Sequence, residues 1–151
     1  MKLPVYLAGA SRELERVKKY AELLERSGLE RITYCWWQDI EANDVGTDHR
    51  LTRDEQCAYA TGDLRGVYEA QLVWFLWPEA PSMGAPVEYG FALAVSRQNP
   101  MRLVVTGGKA SSCIFTALAH YRDTSDMLGL AEVVRVAREF VHALDPRGQV
   151  T

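Results

Sequence analysis

Long hydrophobic runs are missing from this chain. Its longest strongly apolar stretch, Leu72 to Trp77, falls far short of the roughly 20 residues that a membrane-spanning helix needs. The opening apolar run, Leu3 to Ala10, stops at Ser11-Arg12-Glu13 without a conventional cleavage region, so it reads as structure and not as a secretory signal. Cysteine is also scarce. Cys35, Cys57 and Cys113 are too far apart for CxxC chemistry and cannot all pair within one chain, so reduced thiols and a cytoplasmic setting are expected. Histidines 49, 120 and 142 are scattered, without ligand spacing or partnering cysteines, and no metal site is expected. Asp39, Glu41, Asp44 and Asp48 read as a solvated acidic stretch more than as a calcium loop. Nor is there an excess of positive charge. Seventeen Lys and Arg stand against twenty Asp and Glu, a net charge of -3, which gives no field for nucleic acid or an anionic membrane. A phosphate-bearing ligand would have to be small and held by a local basic group.

What is present is an ordinary globular balance: 48% hydrophobic and 25% charged residues over 151 positions, enough for one domain, residues 1–151, with a real core. Leu3-Pro4-Val5-Tyr6-Leu7-Ala8 suits a buried first strand ending at Gly9. A helix follows, with Ser11 as N-cap, an apolar face of Leu14, Val17, Ala21 and Leu24, and Gly28 as C-cap. Arg31 to Trp36 is β-branched and aromatic and predicts a second strand, and Gln38 to Arg50 a loop. Thr52 to Ala70 predicts a helix interrupted near Thr61-Gly62, since glycine weakens helix interiors. Leu72 to Trp77 is apolar on both faces, as a central parallel strand must be, and Pro78 ends it. Ala85 to Arg97 then predicts a helix, Arg102 to Thr106 a fourth strand, and Tyr121-Arg122-Asp123 a short fifth. The last helix is amphipathic through Val133, Val136, Ala137, Phe140, Val141 and Leu144 and closes before Asp145-Pro146.

Alternating strands and helices imply a parallel sheet covered on both faces. Right-handed crossovers with one reversal give the order 2-1-3-4-5, a flavodoxin-like or Rossmann-like three-layer α/β sandwich. Ligands in such sheets sit at the carboxyl ends of the strands flanking the reversal, here the first and third. Two loops therefore matter, Gly9 to Arg12 and Pro78 to Glu88. In the first, Gly9 permits close backbone approach, Ser11 and the helix N-terminus offer donors, and Arg12 can neutralise a phosphate. Each also has an ordinary reading: Ser11 as a cap, Arg12 as a solvated side chain, Tyr6 as a core aromatic. In the second, Gly84 allows a tight turn, Pro86 suits a first helical position, and Glu88 falls in the first turn. There Glu88 either complements the helix dipole, worth about 0.3–1 kcal/mol, or points into the crevice as a nucleophile or base.

Three segments in this order, Tyr6-Leu7-Ala8-Gly9, Asp63-Leu64-Arg65-Gly66-Val67 and Ser82-x-Gly84-x-x-x-Glu88-Tyr89-Gly90-Phe91-Ala92, resemble the nucleoside 2-deoxyribosyltransferase family. The resemblance runs from residue 5 to about residue 106. It implies that Glu88 is the nucleophile that attacks the anomeric carbon and forms a covalent glycosyl ester. It also implies that Asp63 helps bind the nucleoside and deliver a proton to the departing base, and that Tyr6 orients the nucleophile. Ser82 before Gly84 and Arg12 after Gly9 are similar to the branch of 2'-deoxynucleoside 5'-monophosphate N-glycosidases, in which the matching groups hold the 5'-phosphate. The implied chemistry agrees with the physics of glycosyl transfer: an oxocarbenium-like sugar is trapped by an adjacent carboxylate while an acid protonates the leaving group. The resemblance further implies a homodimer or larger homo-oligomer, and no cofactor. The chain departs from the family pattern at Pro78-Glu79, where transferases carry an aspartate just after the third strand. It departs again at Ala10-Ser11, where the glycosidase serine directly follows the glycine, and at Gln71, where an aspartate often opens the third strand.

Other features carry less. Trp36, Trp37 and Trp77 lie near strand ends and could stack on a base, though large aromatics supply core area wherever they sit. Gly107-Gly108-Lys109-Ala110 fails the Walker pattern. Two functions remain as alternatives to catalysis on the same fold: a non-catalytic nucleotide-binding or sensing module, and a flavin redox carrier. The second lacks the run of hydroxyl residues that a flavin phosphate needs after the first strand.

Overall fold

The structure, a computed structural model, describes residues 1–43 and 51–145. Five parallel strands form one sheet of order β2-β1-β3-β4-β5, the arrangement expected from the sequence. They are β1 (Leu3–Ala8), β2 (Glu30–Ile32), β3 (Leu72–Leu76), β4 (Arg102–Thr106) and β5 (Tyr121–Asp123), interleaved with α1 (Leu14–Ser27), α2 (Trp36–Asn43), α3 (Arg53–Glu69), α4 (Gly84–Ser96) and α5 (Asp126–Leu144). β1 is the hinge of the topology, pairing with β2 through Val5↔Ile32 and with β3 through Tyr6↔Val73 and Leu7↔Trp74. Every residue of β3 is buried, because helices cover both faces of a central parallel strand. Side chains of β1, β3 and β4 join Val17, Leu24, Tyr89, Ala92, Val133 and Ala137 in one core. Among the described residues no helix is long and apolar enough to cross a membrane, and none of the three cysteines is in a disulfide.

Helix ends follow local chemistry. Gly28 closes α1 in the left-handed conformation that favours glycine, at φ 68°, with its N–H donating to Glu25 O. Thr52 and Ser125 cap α3 and α5, accepting from the N–H groups of Glu55 and Leu128. Ser11 makes no such cap. A 3-10 turn, Ser11–Glu13, precedes α1 with no side-chain cap bond, and Ser11 lines the crevice instead.

Four other expectations are corrected. The second strand spans Glu30–Ile32 instead of reaching Trp36. Beyond it Thr33 N still donates to Val5 O at 2.9 Å, and the chain then turns into α2, where Trp36 Nε1 donates to Leu7 O at 2.9 Å and draws the helix over the end of β1. The segment read as a loop is therefore helical through Asn43, while Asp44, Asp48 and His49 lie outside the described residues. α3 runs unbroken through Thr61-Gly62. A Cβ on Gly62 would stand 2.9 Å from the Tyr34 ring, and one on Gly66 would stand 2.7 Å from the Tyr6 ring. Those glycines, one turn apart, let α3 lie close against the aromatics of β1 and the β2–α2 connection, and the close fit offsets their weak helix propensity. Finally, α4 begins at Gly84, which puts Pro86 third and Glu88 at the start of the second turn, not in the first. Pro86 costs no hydrogen bond there, because the first N–H groups of a helix lack intrahelical partners.

Candidate active site

The crevice opens at the carboxyl ends of β1 and β3, where the topology reverses. It has a volume of about 380 Å³. One wall is the β1–α1 loop, with Gly9, Ser11, Arg12 and Glu13, and the opposite wall is the β3–α4 loop and first turn, with Ser82, Gly84 and Glu88. Trp36 and Ile40 of α2 and Asp63 of α3 close the remaining side. Seven of the eight residues singled out in the sequence thus line one cavity: Gly9, Ser11, Arg12, Asp63, Ser82, Gly84 and Glu88. Tyr6 does not line it. It is fully buried in β1, beneath the floor, with α3 packed against its ring.

Glu88 reaches the crevice because it stands four residues after Gly84, on the same helical face one turn deeper. Asp63 reaches it because Gly62 and Gly66 on either side bring α3 into contact with Tyr34 and Tyr6, and Thr33 Oγ1 donates to Gly66 O at 2.7 Å to fix the approach. The two carboxyls meet. Burial raises the pKa of Glu88 well above the usual carboxylate range, and the Asp63 charge and a hydrogen bond to Asp63 raise it further, while Tyr6 works the other way. The two acids therefore lie close enough for the charge of Asp63 to oppose ionisation of Glu88. Below them the Tyr6 hydroxyl is buried without a protein group in ordinary hydrogen-bond geometry. Burial first, then the charges of Glu88 and Asp63, push the phenol upward, so Tyr6 stays protonated beside the pair.

The crevice also carries groups of the opposite character: Arg12 is exposed and Ser11 and Ser82 are half-buried, so one guanidinium and two hydroxyls belong to its lining. Gly9 serves packing as well as access, since a Cβ there would stand 2.7 Å from Val17 Cγ2.

A second cluster, not expected from the sequence, ties these loops together. Arg16 donates from Nε to Asp126 Oδ2 at 2.8 Å, from Nη1 to Glu13 Oε1 at 2.7 Å and to Trp77 O at 2.8 Å. Glu13 Oε2 accepts from Glu79 N at 3.1 Å, and Glu79 Oε1 accepts from Gly108 N at 3.0 Å. The guanidinium thus clamps the start of α1, the end of β3 and the start of α5. Gly107, at φ 131°, explains the glycine pair that superficially suggested a phosphate loop: a Cβ there would lie 2.7 Å from Arg16 Nη2. The only legible hint was the i,i+3 spacing of Glu13 and Arg16, since Asp126 lies 110 residues away.

The tryptophans are mainly core: Trp36, Trp37 and Trp77 are all buried, although Trp36 also reaches the crevice wall. His120 is structural, its Nδ1 accepting from Leu103 N at 2.9 Å. Among the described residues no group of three or more His, Cys, Asp or Glu stands where it could hold a metal ion. Compared with protein-family models, curated proteins and solved structures, the chain shows no match to any of them.

Proposed function

We propose that this protein cleaves the N-glycosidic bond of a nucleoside 5'-monophosphate or nucleoside, with Glu88 as nucleophile and water or a second base as acceptor. One observation carries the reading: two adjacent carboxyls, Glu88 with its pKa raised beside Asp63, in a crevice that Arg12, Ser11 and Ser82 also line. A sugar laid among these groups puts its anomeric carbon at Glu88 and its 5'-phosphate at the guanidinium and hydroxyls. The resemblance to nucleoside 2-deoxyribosyltransferases, and to their 5'-monophosphate N-glycosidase branch, supports the same orientation.

The steps balance without a cofactor. A Glu88 oxygen attacks C1', the bond from C1' to the base nitrogen breaks, and its electron pair leaves with the base. The proton that Glu88 passes to Asp63 as the sugar enters goes on from Asp63 to that base. The resulting glycosyl ester is then opened by water at C1', Asp63 takes the water's proton, and the Glu88 carboxylate is restored. In retaining glycosidases the carboxyls stand about 5–5.5 Å apart, wider than two hydrogen-bonded carboxyls, so the entering sugar must part this pair. Tyr6, buried beneath the pair, supports Glu88 from below.

A non-catalytic nucleotide-binding module has one observation in its favour: the raised pKa of Glu88 makes it a good hydrogen-bond donor as well as a nucleophile in waiting. A homodimer is part of the proposal too. It is supported by α4, whose one charged residue is Glu88 and whose Val87 is 65% exposed, an apolar outer face suited to a second copy.

The test is to incubate the protein with a panel of nucleosides and 5'-monophosphates, with and without an acceptor base, and follow free base by chromatography. Release by the wild type, lost in Glu88→Gln with binding retained, is the expected result. No release from any candidate moves the assignment to the binding module, and release without phosphate dependence removes the roles of Arg12, Ser11 and Ser82.

A further inference from the structure

Among the described residues lining the crevice, Arg12 is the only Lys or Arg, and three acids line it as well: Glu13, Asp63 and Glu88. The Arg12 guanidinium makes no ion pair or hydrogen bond with any described residue, although Glu13 follows it directly in the same 3-10 turn. Long, exposed side chains of opposite charge at neighbouring positions are free to pair. Here the glutamate is held elsewhere. Its Oε1 accepts from Arg16 Nη1 at 2.7 Å and its Oε2 from Glu79 N at 3.1 Å, so both oxygens are engaged. Both side chains of the Arg16–Glu13 pair are largely shielded from water. Arg16 cannot follow Glu13 towards the crevice, because Asp126 grips its guanidinium with both oxygens, at 2.8 and 3.0 Å, and Trp77 O accepts from it at 2.8 Å. Glu79 is occupied in the same way, its Oε1 accepting from Gly108 N at 3.0 Å. Arg16 itself does not line the crevice.

We infer that Arg16 is a positioning residue for anionic ligands: by holding the Glu13 carboxylate, it keeps the Arg12 guanidinium open to a phosphate. The inference rests on the proposed reaction for Arg12 as the partner of the 5'-phosphate, and it adds a residue that acts on that contact without touching the ligand. A guanidinium fork fits a carboxylate and a phosphate equally well, so a released Glu13 competes with the ligand for the same donors. A released Glu13 also adds a negative charge to a crevice that must admit an anion, and like charges repel. Both effects fall on the phosphate alone. A nucleoside brings nothing to Arg12, so its binding does not depend on where Glu13 points. Arg16 therefore sets the preference for the phosphorylated ligand over the unphosphorylated one. The clamp on the loops and the freedom of Arg12 are two consequences of the same bond, and removing the charge of Glu13 separates them.

The experiment distinguishes capture of Arg12 from loss of stability. Base release is measured from a nucleoside 5'-monophosphate, with its nucleoside as a competing inhibitor, at a temperature where thermal melts show every variant folded. The variants are Arg16→Met, Arg16→Met with Glu13→Gln, Arg12→Gln, and Arg12→Gln with Arg16→Met. Arg16→Met should raise KM for the monophosphate about fivefold, the upper end for an exposed ion pair, and leave kcat and the nucleoside inhibition constant within about twofold. The amide of Glu13→Gln cannot neutralise a guanidinium, so adding it should restore KM. The melting temperature should stay below that of the wild type, because Asp126 and Trp77 O still lack their donor. In the Arg12→Gln background, Arg16→Met should change KM no further. An unchanged KM in Arg16→Met, equal losses for monophosphate and nucleoside, or no recovery with Glu13→Gln overturns the inference and leaves Arg16 a structural clamp only. If Arg16→Met does not fold, Arg16→Gln, which keeps N–H donors for the Trp77 carbonyl without the charge, carries the same comparison. If no nucleotide is hydrolysed, the glycosidase reading has failed by itself. Calorimetric titration of the same variants with inorganic phosphate and the 5'-monophosphate then decides the inference on Kd, and a wild type that binds neither overturns it.

Discussion

Replacing Arg16 by methionine tests how strongly the crevice loops are held. The side chain keeps most of its apolar stem and loses the guanidinium, which leaves Asp126, Glu13 and the Trp77 carbonyl without their donor. Asp126 and Glu13 each retain one compensating bond, from Thr106 Oγ1 at 2.7 Å and from Glu79 N at 3.1 Å. Removing one partner of a buried ion pair costs about 3–5 kcal/mol, whereas exposed pairs are worth about 0–1 kcal/mol. Arg16, Glu13 and Asp126 are only 16–18% exposed at their side chains, so the cost lies towards the buried limit. Allowing for some water at these carboxylates, about 2–4 kcal/mol is expected. In a domain of this size that corresponds to a fall in Tm of roughly 5–15 °C. Denaturant unfolding followed by far-UV circular dichroism measures it, and a cycle with Asp126→Asn isolates the pair. A loss under about 1 kcal/mol, or a coupling energy near zero, would refute the clamp and put the cluster among ordinary surface ion pairs.

Three further outcomes follow from the same geometry. Because the folded pKa of Glu88 is raised, its contribution to stability is fully present below the ordinary carboxylate pKa and is lost as pH rises through the folded value. Glu88→Gln removes that penalty, so its Tm advantage over the wild type should grow from acid to neutral pH, and a constant difference across a pH series of thermal melts would contradict the buried pair. Gly66→Ala gains up to about 1 kcal/mol of helix propensity but drives a Cβ to 2.7 Å from the Tyr6 ring, where overpacking costs about 1–3 kcal/mol. The variant should be no more stable than the wild type in denaturant titration and should lose base release, since Asp63 moves with α3. Ser125→Ala removes the cap of α5 and should cost about 1 kcal/mol in the same titration.

The elements most legible in the sequence were those set by local chemistry. An uninterrupted apolar run gave β3, helical spacing gave α1 and α5, and Gly28 marked a helix end that only a left-handed residue closes. The sheet order came from handedness rules, and the switch point then located the loops. The failures came where tertiary contacts override local preference. Gly62 resembles a helix break until the Tyr34 ring that needs its bare backbone is in place, and Tyr34 is 28 residues earlier in the chain. Ser11 has the composition of a cap, yet it makes no cap bond before α1 and lines the crevice instead. The start of α4, two residues earlier than Pro86 suggested, moved Glu88 out of the first turn. That shift removes the simple dipole explanation for an acid at this place and leaves a half-buried carboxyl against Asp63. The Arg16 clamp was not legible, because its members come from segments far apart in the sequence.

The central claim concerns one bond, between a Glu88 oxygen and a sugar carbon. The most direct measurement is rapid acid quench of the protein during turnover of a 2-fluoro-2-deoxy nucleotide, whose glycosyl ester hydrolyses slowly, followed by mass spectrometry of the digested peptides. The account predicts a sugar-phosphate adduct on the peptide carrying Glu88, absent in Glu88→Gln. Turnover that continues undiminished in Glu88→Gln, or an adduct on any other residue, would contradict it.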